Sequence, residues 1–262
     1  TSLIGSMSGG FIYSILGASI MFIFNGISYI ASTISEIFIE IPKTDRKNTK
    51  LNLKEDFKEG LKFTFGFRGF VLLLSVAFSL NFLYAMFFLL LKPLFLADSN
   101  LGVARFGVIS ACQSIGMIFA SILLTKVNIK IEKRANIMLP ALILQSVFFF
   151  LGVLINKFYI MCICFFIGSF LNTVSNTVST SAMMLVIPQN MRGKVMSIIF
   201  TLSMGIHPIG SLIGGILGDI FYPRTIMIGC FLIGIIGSIP IFFSKSAKKV
   251  LNYNPKIQKL ED

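Results

Sequence analysis

The sequence predicts an all-α polytopic membrane protein, and three observations carry that prediction. Hydrophobic residues fill 55% of the 262 positions and charged residues only 13%, about half the charged share of an average soluble chain. The charges gather into short clusters, leaving uncharged stretches of about 20 residues, the length a helix needs to cross a bilayer. Runs such as Phe148-Phe149-Phe150-Leu151 lack the period-two alternation of barrel strands, and a helix is then the backbone that satisfies its own hydrogen bonds in hydrocarbon. With a mean hydropathy of +0.86, a disordered chain or a soluble coiled coil is excluded.

Taken in order, the apolar stretches begin with a part-span from Leu3 to Leu16. Cut where Lys, Arg or a Pro/Gly/Asn turn intervenes, seven more follow at 17–39, 70–96, 104–127, 137–155, 158–187, 194–221 and 225–243. The connections at 43–69, 126–136 and 188–194 and the tail from Lys245 hold 8, 4, 2 and 5 of the 23 basic residues. The intervening turns hold Arg105, Lys157 and Arg224, with Tyr13, Tyr159 and Tyr222 beside predicted outer turns. Alternation of rich and poor loops is the positive-inside pattern, so the basic loops and the C-terminus are expected in the cytoplasm, in a multi-pass chain of the cell (inner or plasma) membrane. The formal net charge of +12 is accounted for by this pattern and by the anionic inner leaflet; no nucleic-acid partner is implied.

Within the longest polar stretch, 43–69, Leu53, Phe57 and Leu61 recur every four residues beside Lys54, Lys58 and Lys62. That spacing predicts a short amphipathic helix, either an anchor on the inner membrane surface or a docking helix. The four cysteines, Cys112, Cys162, Cys164 and Cys230, all lie in apolar runs and read as small hydrophobes. Neither a disulfide framework nor a metal site is expected, and no cofactor.

A repeat joins the two ends of the chain. Ile4-Gly5-Ser6-Met7-Ser8-Gly9-Gly10 returns as Ile209-Gly210-Ser211-Leu212-Ile213-Gly214-Gly215, five identities in seven at an offset of 205. Gly5, Gly9, Gly10, Gly210, Gly214 and Gly215 have the small-residue spacing that lets helix backbones approach closely in lipid. Six spans separate the copies, as a six-helix unit duplicated in parallel would place them.

These copies, the stretch Val186-Ile187-Pro188-Gln189-Asn190-Met191-Arg192-Gly193-Lys194-Val195 and the following His207-Pro208-Ile209-Gly210 resemble the major facilitator superfamily, most closely its macrolide-efflux and siderophore-exporter branch. Asp56-Phe57-Lys58-Glu59-Gly60-Leu61 resembles the segment opening that family's second half. Ser6 stands where the family's span-five antiporter motif, Gly-Pro-x-x-Gly-Gly, has Pro. The resemblance implies a twelve-span transporter, of which this chain, starting at Thr1 inside a Gly-rich apolar stretch, reads as a C-terminal fragment. Residues 1–42 would end the N-terminal bundle with part of span five and span six. Residues 43–69 would be a cytoplasmic linker, 70–244 the C-terminal six-helix bundle, and 245–262 a cytoplasmic tail. The missing N-terminal bundle would be its partner.

Ser169, Asn172, Asn176 and Ser179 recur at i, i+3, i+7 and i+10 along an otherwise apolar helix. Amides at that depth face protein or a wet cavity; they serve equally well as polar glue between helices. As a transporter, the chain would line its path with Asn172 and Asn176, joined by Asn81 and Gln113. Phe82 and Met86, on a face with Ser75 and Ser79, would form an adaptable apolar wall. His207, in mid-span before Pro208, is either a proton-coupling or cargo-binding group or a packing residue. Glu36, Glu40, Asp98 and Asp219 lie near span ends and read as solvated interface charges.

An enzyme is not expected. The sole histidine, His207, has no Asp or Glu in the body of any span to orient it, and no glycine cluster is followed by the Lys-Ser or Lys-Thr of a phosphate loop. The resemblance implies proton-coupled export, by alternating access, of a hydrophobic or amphipathic small molecule. Uptake through the same fold and a non-transporting membrane scaffold are the alternatives.

Overall fold

A computed structural model describes residues 2–38, 53–97, 101–155 and 157–255. Glu40, Asp98, residues 39–52, which include the start of the 43–69 linker, and the last residues of the tail lie outside the described residues. Helices dominate, and two units divide the chain, residues 1–52 and residues 53–262.

The first unit contains one helix, α1 (Ser2–Ile37). The turn expected near Tyr13, between the part-span and the span at 17–39, is absent. From Ser2 to Ile37 there is no proline, and Glu36 is the one charged residue, so nothing local competes with continued intrahelical hydrogen bonding; paired glycines alone weaken a helix without ending it. Gly5, Gly9 and Gly10 fall inside α1, and their packing lies outside the described residues.

The second unit is a bundle. It opens with α2 (Leu53–Gly66), which leads into α3 (Arg68–Ala97). Then come α4 (Gly102–Lys126), α5 (Arg134–Leu154), α6 (Phe158–Val186), α7 (Arg192–Ile220), α8 (Pro223–Phe243) and the short α9 (Lys245–Leu251). Six of these, α3 to α8, are long and apolar enough to cross a membrane. Breaks between them coincide with Lys and Arg clusters or with turn residues, among them Gly102 at φ +68°, a backbone state that glycine adopts without strain.

Neighbours in space run α7–α3–α8–α5–α6–α4, with α4 returning toward α3. Lipid tails are as apolar as these side chains, so close packing has to hold such a ring together. Small residues supply it. A Cβ on Gly210 would stand 2.6 Å from the Phe82 carbonyl oxygen, and one on Gly214 would stand 3.0 Å from the Met86 Cα, so α7 rides directly on the backbone of α3. Gly215, beside them, meets only the Leu89 side chain, at an ordinary 3.7 Å. Gly116 plays the corresponding part for α4, against the backbone of α6 at Phe166. Outward-facing surface is strongly apolar: Phe200, Leu212 and Ile216 on α7 are 63%, 66% and 54% exposed, a coat suited to lipid rather than water.

The basic connections and the short helices gather at one end. There α9 meets the start of α3, where Gly69 abuts the Ser246 carbonyl, and the start of α5, where the Ala135 N–H donates to Asn252 Oδ1 at 2.9 Å. The amphipathic pattern does form α2, and α2 packs against α7 and α3. Gly60 and Thr64 are buried, Phe57 remains exposed, and Lys194 Nζ on α7 reaches Asp56 at 2.7 Å and Glu59 at 2.8 Å.

Candidate functional site

A cavity of about 390 Å³ opens among all six long helices of the second unit, a size typical of a small-molecule site. Helix α6 contributes the polar stripe, with Ser169, Asn172, Asn176 and Ser179 all on the wall. Their i, i+3, i+7, i+10 spacing keeps them on one side of the helix. Asn176 Nδ2 donates to Asn172 Oδ1 at 3.1 Å, which ties the two amides together along the stripe. Across from them α3 presents Asn81, Tyr84 and Phe88, again at i, i+3 and i+7. Gln113 and Met117 enter from α4, Gln145 and Phe149 from α5, Ile241 from α8, and His207 is the contribution of α7.

Three polar atoms on these walls are buried with no hydrogen-bond partner among the described residues: Tyr84 Oη, Gln113 Nε2 and Gln145 Oε1. The Tyr84 hydroxyl lies beside Ser146 and Asn172. A buried group left unpaired destabilises by about 1–3 kcal/mol. An amide donor, an amide acceptor and a hydroxyl are thus buried in the walls of one chamber. No lining residue is Asp, Glu, Lys or Arg. The chamber therefore presents hydrogen-bonding and apolar groups without a fixed charge.

The chamber is one-sided. Its residues on α3 run from Leu73, near the basic end, to Phe88, and beyond them Leu90, Leu91, Leu94 and Phe95 are buried. An aromatic cluster closes the far half. Phe149 stacks on Phe231 with ring centroids 5.6 Å apart, Phe87 meets Phe231 edge-on at 4.9 Å, and Phe165 lies 5.8 Å from Phe87. Such offset and edge-on pairs are the favoured aromatic geometries.

Among the sequence-predicted lining residues, Asn81, Gln113, Asn172, Asn176 and His207 border the chamber; Phe82 and Met86 do not. At about 100° per residue, Phe82 and Met86 fall on the side of α3 opposite Tyr84 and Phe88. There they meet Gly210 and Gly214 of α7, and Met86 Sδ lies 4.0 Å from Cys230 Sγ. They are packing residues of the α3–α7 seam. Gln145 and Tyr84 were missed. Gln145 carries the signal used for Gln113, a lone amide in mid-span, and Tyr84 is a tyrosine well inside a span rather than at its edge.

A model of the Major Facilitator Superfamily matches residues 1–204 and, in a second register, residues 73–259. The chain belongs to this superfamily. Transporters of this kind are built of two alike halves, so a match in two overlapping ranges is in keeping with membership. Membership makes the protein a membrane transporter by fold and carries a small-molecule substrate and a bilayer with it. None of the curated proteins and none of the solved structures compared with the chain matches it.

Proposed function

We propose that this major facilitator chain belongs to a proton-coupled exporter of the macrolide-efflux or siderophore-exporter kind, moving a hydrophobic or amphipathic small molecule by alternating access. The observation that carries this reading is the composition of the chamber: uncharged amides and hydroxyls facing Phe88, Phe149 and Met117. An aromatic and thioether wall repacks around differently shaped apolar bodies, while the amides set orientation. Residues 70–244 form the C-terminal bundle in this proposal, residues 1–42 belong to the N-terminal one, and 43–69 link them. The rocking of one bundle against the other exposes the chamber to each side in turn. His207, the imidazole on the wall, is the proposed proton-coupling or cargo-binding group.

Accumulation of a lipophilic dye by cells with and without the gene, each with and without an uncoupler, tests the reading. Export predicts lower accumulation in expressing cells and loss of that difference on uncoupling. Higher accumulation in expressing cells would replace export by uptake, and equal accumulation across dyes and macrolides would replace transport by a scaffold role.

A further inference from the structure

A second cavity, of about 370 Å³, lies between α4, α5 and α6, away from the polar chamber. Its walls are entirely apolar and include Leu124, Val127, Ile129, Ile137, Leu144 and Phe170. No hydrogen-bonding side chain enters it, so it suits a hydrocarbon and nothing that needs orienting. It is a surface feature as well: Val127 and Leu144 are 47% and 44% exposed, so the groove opens sideways, onto the lipid-facing coat of the bundle.

Its mouth is basic. Lys126 immediately precedes Val127 and Lys130 immediately follows Ile129, two wall residues, and Lys133 stands four residues before Ile137. All three lysines are exposed. The one acid in this connection is Glu132, and no ion pair joins it to any of them among the described residues. Arg134, one turn ahead of Ile137, has a buried Nη1 with no hydrogen-bond partner among the described residues. An apolar slot under a cluster of cations is the complement of an acyl chain under a phosphate.

We infer that this groove is a binding site for an anionic phospholipid, with one acyl chain lying between α4, α5 and α6 and the headgroup phosphate held by Lys126, Lys130 and Lys133. Ordinary annular lipid would fill any groove; the lysine cluster is what makes this one selective. A basic residue near an anionic surface is worth about a fivefold preference. With Glu132 opposing and salt screening the outer lysines, a preference of about tenfold over a zwitterionic lipid is expected. The inference is independent of cargo and direction of transport.

The test uses the full chain, purified from vesicles of equal phosphatidylglycerol and phosphatidylcholine and read by native mass spectrometry for retained lipid. Wild type should retain phosphatidylglycerol about tenfold over phosphatidylcholine. The combined change Lys126→Gln, Lys130→Gln, Lys133→Gln should bring that ratio close to one with helical content unchanged. Leu144→Trp, which fills the groove from its exposed rim, should lower retention of both lipids. Lys58→Gln with Lys62→Gln on α2, also at the basic end, should leave the ratio as it was. An unchanged ratio in the triple variant, undiminished retention in Leu144→Trp, or an equal loss in the α2 control would each overturn the assignment, the last by showing diffuse surface charge to be responsible.

Discussion

Gln145 separates a packing role from a binding role at single-residue resolution. It is almost fully buried and its Oε1 has no partner among the described residues, so Gln145→Leu removes an unsatisfied acceptor and should leave thermal stability equal or raised. If the chamber binds cargo through that oxygen, the same substitution weakens transport of a hydrogen-bonding substrate by about 5- to 150-fold, the equivalent of about 1–3 kcal/mol. Stability and flux measured on one preparation check both halves, and a fall in both would make Gln145 structural. At His207, Ala should alter the pH dependence of transport, and a profile superimposable on wild type would remove the coupling proposal. The amides were legible in the sequence because a mid-span Asn or Gln has no way to satisfy itself in lipid. Serines mislead: Ser79 Oγ donates to the Ser75 carbonyl at 2.9 Å on its own helix, so a serine face need not border anything polar. Phe82 and Met86 were placed on the chamber by following such a face.

Among the elements, α7 depends most visibly on what is absent from its side chains. A Cβ at Gly210 would collide with a backbone carbonyl, which cannot yield as a flexible side chain can, whereas Gly205, five residues earlier, has nothing within 4 Å. Gly210→Val should therefore destabilise the bundle by about 1–3 kcal/mol or more, and Gly205→Ala should be neutral or mildly stabilising. Thermal unfolding in detergent distinguishes the two, and equal effects would contradict the seam described for α3 and α7. Span boundaries were readable because every break in the second unit is written in charges or turn residues. The continuous α1 was not, since its glycines mimic a turn without supplying a proline or a charge to enforce one. The helix α2 was readable from its period, but its docking was not: contact through Gly60 and the Lys194 bridge to Asp56 and Glu59 unites residues far apart in sequence.

For the molecule as a whole, the gathering of α2, α9 and the basic connections at one end turns the positive-inside rule into an experiment. A fluorescent protein fused after Asp262 should fluoresce, and an alkaline phosphatase at the same place should be inactive; the reverse pattern would invert the proposed topology. The order in which six helices surround a chamber was beyond the sequence, because apolar periodicity marks a buried face without naming its neighbour. The superfamily match supplies the architecture in outline, and the α3–α7 glycine seam shows how this chain builds it. The stacked rings of Phe87, Phe149, Phe165 and Phe231 have a further bearing on energy conservation. A carrier has to insulate as well as admit, and in the proposed reading these packed rings are the part of the bundle that would keep water from threading through it at rest.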